Sequence, residues 1–154
     1  MEQGDRVSAA IMDVFHRKYG HRAGDYLVPP PAFTTMEGEF LHFDLEAGEL
    51  SARFPVRERH LNPYHAMQGG IIAAAFDNAL GPLSMLIAPP NVTRRLEITY
   101  SRPITVEMGF ITVEARLTDR EDRFLTFKAD LRAPDGRRLA RARAKHFILD
   151  PGEA

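Results

Sequence analysis

Between Gly69 and about Ile87 the chain runs through alanine, leucine and isoleucine with hardly a polar residue, and no other feature limits its possible folds as much. The composition and length of this run predict one helix. It is apolar nearly all round, so it has to be covered on most sides rather than lie on a surface. Asp77 sits in its middle, where an ionised carboxylate taken from water needs a partner or a shifted pKa. Pro82 removes one intrahelical donor and predicts a kink or a tightened end.

The flanking segments show what can cover such a helix. Before it, Val7, Ile11, Val14, Phe15 and Tyr19 lie at helical spacing from Asp5 to Tyr19, and Val28-Pro29-Pro30-Pro31 reads as an extended connector. From Phe33 the period changes to two. Met36, Phe40, Phe43 and Leu45 predict a strand, and Ala47-Gly48 turns it into a second strand over residues 49–56. After the helix, residues 92–102, 109–118, 124–133 and 138–149 read as strands, the last two joined by the turn Pro134-Asp135-Gly136. In the last strand Ala140, Ala142, Ala144 and His146 take one face and Leu139, Arg141, Arg143 and Lys145 the other. An alanine face lets a helix approach a sheet closely. The order predicts an α+β architecture in which one antiparallel sheet curves around the apolar helix. The expected division is a helix and proline-rich connector over residues 1–32 and one domain over 33–150.

Composition narrows the function classes. The chain has 154 residues, 44% of them hydrophobic and 27% charged, in the range of one globular domain. A net charge of −1 argues against wholesale nucleic-acid binding. The longest apolar stretch is interrupted by Asp77, Asn78 and Pro82, which argues against a membrane span. The first residues lack a secretory pattern and there is no cysteine, so a cytoplasmic setting is expected. No metal-ligand spacing stands out.

Chemistry concentrates between Asn62 and Asp77. Gly69 and Gly70 open the helix, where backbone N–H groups have no intrahelical acceptor and can hold a carbonyl oxygen that gains negative charge. Asn62 and Gln68 are amides able to orient a water or a carbonyl. Asp77 is eight residues beyond Gly69, about 12 Å along a helix. That is too far for both to touch one reacting carbon. Two chains with antiparallel helices would bring Gly69 of one against Asp77 of the other, so the spacing predicts a site shared across a homodimer.

Asn62, Gly69, Gly70 and Asp77 match in register the pattern Asn-x(5)-His-Gly-Gly-x(6)-Asp of hotdog-fold acyl-CoA thioesterases, which the chain resembles in their phenylacetate-pathway form. The segment from Val92 to Pro103, with Tyr100-Ser101-Arg102-Pro103 at its end, is similar to that family's third strand. The resemblance covers roughly Phe33 to Leu149. It implies a hotdog fold, with the sheet wrapped around one central helix, and hydrolysis of an acyl-CoA thioester by a homodimer or a dimer of dimers. Coenzyme A then arrives as part of the substrate and no separate cofactor is needed. Asp77 from the partner chain acts as general base or nucleophile, the Gly69 N–H polarises the thioester carbonyl, Asn62 positions the water and Thr93 assists it. Arg94, Arg95, Arg102 and Arg141 are candidates for the coenzyme A phosphates. Gln68 departs from the pattern by replacing its histidine; an amide can donate to a carbonyl but carries no proton near neutral pH.

Two other readings stay open. One is a non-catalytic acyl-CoA-binding hotdog protein, with Gln68 marking lost chemistry. The other is a hotdog dehydratase or hydratase, for which His60 and His65 are the candidate histidines. Tyr64, Met67, Phe76, Leu80 and Met85 are candidates for an apolar acyl tunnel, and equally for core.

Overall fold

The structure is a computed structural model that describes residues 2–153. Its elements are helices α1 (Gln3–Tyr19), α2 (Pro31–Thr35) and α3 (Gly69–Ile87), and strands β1 (Glu39–Asp44), β2 (Glu49–Pro55), β3 (Asn91–Tyr100), β4 (Phe110–Glu121), β5 (Phe124–Arg132) and β6 (Arg138–Ile148). The strands form one antiparallel sheet in the order β1-β2-β4-β5-β6-β3. β1 and β3 are therefore its edges.

The sheet wraps one face of α3. Ile72, Ala75, Phe76, Ala79, Leu80 and Leu83 are buried against Phe54, Ile111, Val113, Leu125, Phe127 and the small residues of β6. Each fully buried leucine or phenylalanine of this core contributes about 1.5–3 kcal/mol. Ala140, Ala142 and Ala144 are buried as their alternation predicts. Leu139 is buried too, although it was expected on the open face. The chain leaving β3 crosses over it, with the N–H groups of Ser101 and Arg102 donating to the Leu139 carbonyl at 2.9 and 3.1 Å.

The expected all-round burial of α3 is not what one chain provides. Ile71, Ala74, Gly81 and Met85 are only partly covered, and Asp77 between them is exposed. The reason is geometric: a sheet curved over one side of a helix leaves the opposite side open. By length and mean hydropathy (1.5) α3 could cross a membrane, but 44% of that window is buried inside this chain as the core helix. Pro82 does not end it; the helix continues to Ile87.

The N-terminal segment differs from expectation in one place. Residues 31–35 form α2 instead of the start of a strand, and β1 begins only at Glu39. Pro31 occupies the first helical position, where a missing N–H costs nothing and the fixed φ suits the helix. Leu45 lies in the turn after β1 and is 38% exposed. α1 ends at Gly20, whose φ of 55° suits glycine, and it packs on β1 and α3. Lys18 and Tyr19 donate to the Met85 carbonyl at 2.6 and 3.1 Å, and Lys18 also to that of Ala88. α1 thus satisfies carbonyls that the end of α3 leaves without an intrahelical donor.

Candidate active site

The candidate residues fall into two groups that the chain holds apart. The first is built by the loop before α3. Asn62 accepts at Oδ1 from the N–H groups of Tyr64 (2.9 Å) and Ala66 (3.2 Å), and its own N–H donates to the Ala66 carbonyl at 2.7 Å. Its Nδ2 amide has no protein partner among the described residues and remains a free donor. Met67 N donates to Ile104 and Gln68 N to His60, which fixes how the loop enters the helix. The N–H groups of Gly69 and Gly70 then open α3 without an acceptor.

Tyr100, at the end of β3, donates its hydroxyl to the Gly69 carbonyl at 3.0 Å. A Cβ on Gly69 would meet the Tyr100 ring at 3.4 Å, while one on Gly70 would meet nothing. Asn62, Gly69, Gly70, Tyr100 and Arg102 line one open concavity of about 520 Å³. Gln68 is the N-cap residue of α3; its exposed side chain makes no capping bond and stands outside that lining.

The second group centres on Asp77. Thr93 Oγ1 donates to Asp77 Oδ1 at 3.1 Å and also lies 3.3 Å from His146 Nε2. His146 Nδ1 is 2.9 Å from Asn91 Oδ1. The Asn91 amide donates to the carbonyls of Pro89 (2.9 Å) and Ser84 (3.4 Å), which turns its Oδ1 toward the imidazole. His146 is 1% exposed, and burial lowers its pKa while Asp77 pulls it the other way.

Local strand geometry creates this contact. Thr93 is the register partner of His146, but Arg95 pairs with Lys145, so Arg94 is an extra residue in β3. Such a bulge re-aims the side chains on either side of it. Thr93 faces α3, and Arg95 faces the outer side of the sheet in an ion pair with Glu97 at 2.7 Å. Arg94 stacks over the Phe147 ring at 5.1 Å. Arg141 lines a separate concavity on the outer face with Lys128 and Arg143. Of the four arginines, Arg102 alone shares a concavity with Gly69 and Gly70.

Other candidates lie elsewhere. His60 accepts at Nδ1 from Arg57 N at 3.1 Å and is buried in its loop, and burial is the first cause that lowers its pKa. His65 is exposed at a φ of 63°. Neither is bonded to Asp77 within the chain. Phe76 and Leu80 are fully buried core, Met67 is 3% exposed and Tyr64 is 87% exposed. Met85 lines an apolar cavity of about 220 Å³ under α1 with Ile11, Met12 and Phe15. Among the described residues no cluster of His, Cys, Asp and Glu could hold a metal ion.

His146, Asn91 and Tyr100 were not among the candidates read from the sequence. For His146 a signal was present: it is the one ionisable side chain on an otherwise alanine face. Asn91 carries no such signal, since its role depends on the backbone carbonyls it meets.

Comparison with known proteins bears on the family and the fold. The model of the thioesterase superfamily matches residues 64–140. No curated protein sequence matches the chain. Among solved structures, a phenylacetic acid degradation-related protein from Ralstonia eutropha is 27% identical with a TM-score of 0.74, the match covering 88% of this chain and 99% of that one. The PaaI protein from the phenylacetic acid degradation operon of E. coli is 15% identical with a TM-score of 0.75, covering 94% and 96%. A hypothetical thioesterase protein from Streptococcus pneumoniae, solved with coenzyme A, is 18% identical with a TM-score of 0.69, covering 76% and 90%. With its six-stranded sheet around α3, the chain belongs to the thioesterase superfamily and has the hotdog fold.

Proposed function

We propose that this protein hydrolyses acyl-CoA thioesters at a site made by two copies of the chain. The observation that carries the proposal is the pair of incomplete half-sites: an exposed Asp77 held by Thr93, and free N–H groups at Gly69 and Gly70 eight residues away on the same helix. Two features support the pairing. Among the described residues the outer edge of β3 has no strand partner, and ten residues of unpaired backbone are a template for another chain. Val92 and Tyr100 on this strand are 39% and 51% exposed, and the uncovered face of α3 lies beside it. Pairing β3 with its copy would set the two α3 helices side by side and antiparallel.

In the resulting site the Gly69 N–H of one chain polarises the thioester carbonyl, and the Asn62 Nδ2 donates nearby. Asp77 of the other chain takes a proton from water as the water oxygen bonds to the carbonyl carbon. The C–S bond then breaks, and the thiolate leaves as the free thiol after receiving that proton. Arg102 stands beside the concavity and is suited to a phosphate of coenzyme A. The coenzyme A bound to the Streptococcus pneumoniae protein is consistent with this class of ligand.

The test is hydrolysis of a panel of acyl- and aryl-CoA thioesters by the wild type and Asp77→Asn. Loss of a general base predicts a drop of about 10²–10⁴ in kcat. Equal rates would remove Asp77 from the mechanism. Gln68 favours one competing outcome, because it puts no proton-carrying side chain beside Gly69. Thermal stabilisation by acyl-CoA with no turnover of any thioester would identify a binding protein instead.

A further inference from the structure

We propose that Asp77, Thr93 and His146 form a proton-counted switch, in which the protonation of His146 decides whether the Thr93 hydroxyl holds the Asp77 carboxylate. The proposal rests on Asp77 being the working group of the site and deepens that reading by giving the site an internal regulator. Thr93 has a single hydroxyl proton. Two acceptors lie within reach of it, Asp77 Oδ1 at 3.1 Å and His146 Nε2 at 3.3 Å.

The tautomer of His146 follows from Asn91. Both N–H groups of the Asn91 amide point at backbone carbonyls, so its oxygen faces His146 Nδ1, and that nitrogen must carry a hydrogen. In the neutral imidazole Nε2 is then a bare acceptor. It competes with Asp77 for the one Thr93 proton, and one of the two contacts is left without a hydrogen. In the imidazolium Nε2 donates to Thr93 Oγ1, Thr93 donates to Asp77 Oδ1, and every contact is satisfied. One added proton therefore converts a contested arrangement into a complete chain from Asn91 to Asp77.

Among the described residues packed on the ring, Asp77 from α3 is the charged group, Thr93 and Asn91 of β3 are neutral, and β5 presents Leu125 and the Phe127 ring, 4.9 Å away. Burial favours the neutral imidazole and Asp77 favours the charged one, so the balance depends on the chain of bonds between them. Below its ionisation His146 is charged and Thr93 aligns Asp77; above it the buried Nε2 has no donor but Thr93, while the exposed Asp77 can be met by water, so Thr93 turns to His146 and releases the carboxylate. His146 touches no substrate and is a positioning residue.

Two measurements test this. The first does not require turnover: the His146 ring nitrogens are titrated by NMR in the wild type, Asp77→Asn and Thr93→Val. The expected result is an Nδ1–H tautomer at high pH and a titration that moves to lower pH in both variants. A titration that stays in place in both would overturn the proposal. The second is the pH profile of kcat/KM. In the wild type a limb falling about tenfold with rising pH, the size expected from one charged hydrogen bond, should coincide with the His146 titration. It should be absent in His146→Gln, whose amide donates to Thr93 at every pH. A limb unchanged in His146→Gln would contradict the switch. Failure to hydrolyse any thioester would instead sink the proposed activity and leave the NMR titration to decide the switch.

Discussion

The Tyr100 hydroxyl donates to the Gly69 carbonyl at 3.0 Å, so the last residue of β3 fixes the first residue of α3. This bond holds the helix entrance in place while its N–H groups stay free. Tyr100→Phe keeps the ring that a Gly69 Cβ would meet and deletes only the donor. We expect a stability loss of about 1 kcal/mol by denaturant unfolding and a larger relative loss in kcat than in KM.

Gly69→Pro tests the oxyanion donor without breaking the helix. Position 69 is the first of α3, where proline is tolerated, and Gln68 before it already has the extended φ and ψ (−63°, 140°) that proline requires of its predecessor. The variant should keep the wild-type circular dichroism spectrum and melting temperature. Its kcat should fall by about 10²–10³, the usual effect of removing one such donor. A variant that folds and retains full activity would exclude the Gly69 N–H from catalysis.

Glu37 links the region before β1 to the loop that carries Asn62. It accepts from Arg57 at 2.9 Å through both carboxylate oxygens and from Arg59 at 2.8 Å, and these bonds lower its pKa to about 2. A carboxylate depressed in the folded state adds stability that is present above its unfolded value and is lost as pH falls through the folded one. The difference in melting temperature between the wild type and Glu37→Gln should therefore hold at pH 5 and shrink between about pH 4.5 and pH 2. A difference that grows in that window would contradict this account.

Ala144 is 1% exposed on the β6 face against α3 and has Leu96 and Phe127 as register partners. Ala144→Leu should cost about 1–3 kcal/mol by overpacking. Arg143→Leu on the open face should change stability far less. Similar losses in the two variants would mean that the alternation of β6 does not decide burial.

Period-two alternation and the long apolar run made all six strands and the central helix legible, with only the start of the first strand misplaced, because burial on one sheet face and around one helix is written directly into residue spacing. Residues 31–35 were not legible. Their apolar residues fit a strand as well as a short helix, and the choice is made by Pro31 at a helix start. At the site, Gly69, Gly70 and Asp77 could be read because they lie on one helix at a fixed rise. The environment of Asp77 could not, since the cover of α3 depends on which side the sheet curves. Thr93 was reached only through family resemblance, and Asn91 and His146 depend on a bulge at Arg94 that no local pattern announces.

The central claim is that one chain holds half of a site and its copy holds the other half. The most direct measurement is complementation by mixed dimers: Asp77→Asn and Gly69→Pro, each inactive alone, are unfolded together, refolded and assayed. Random pairing makes half of the dimers mixed, and each mixed dimer has one intact site, so about a quarter of wild-type activity should return. No recovery, with mixed dimers demonstrated by mass spectrometry, would show that Gly69 and Asp77 do not meet across an interface.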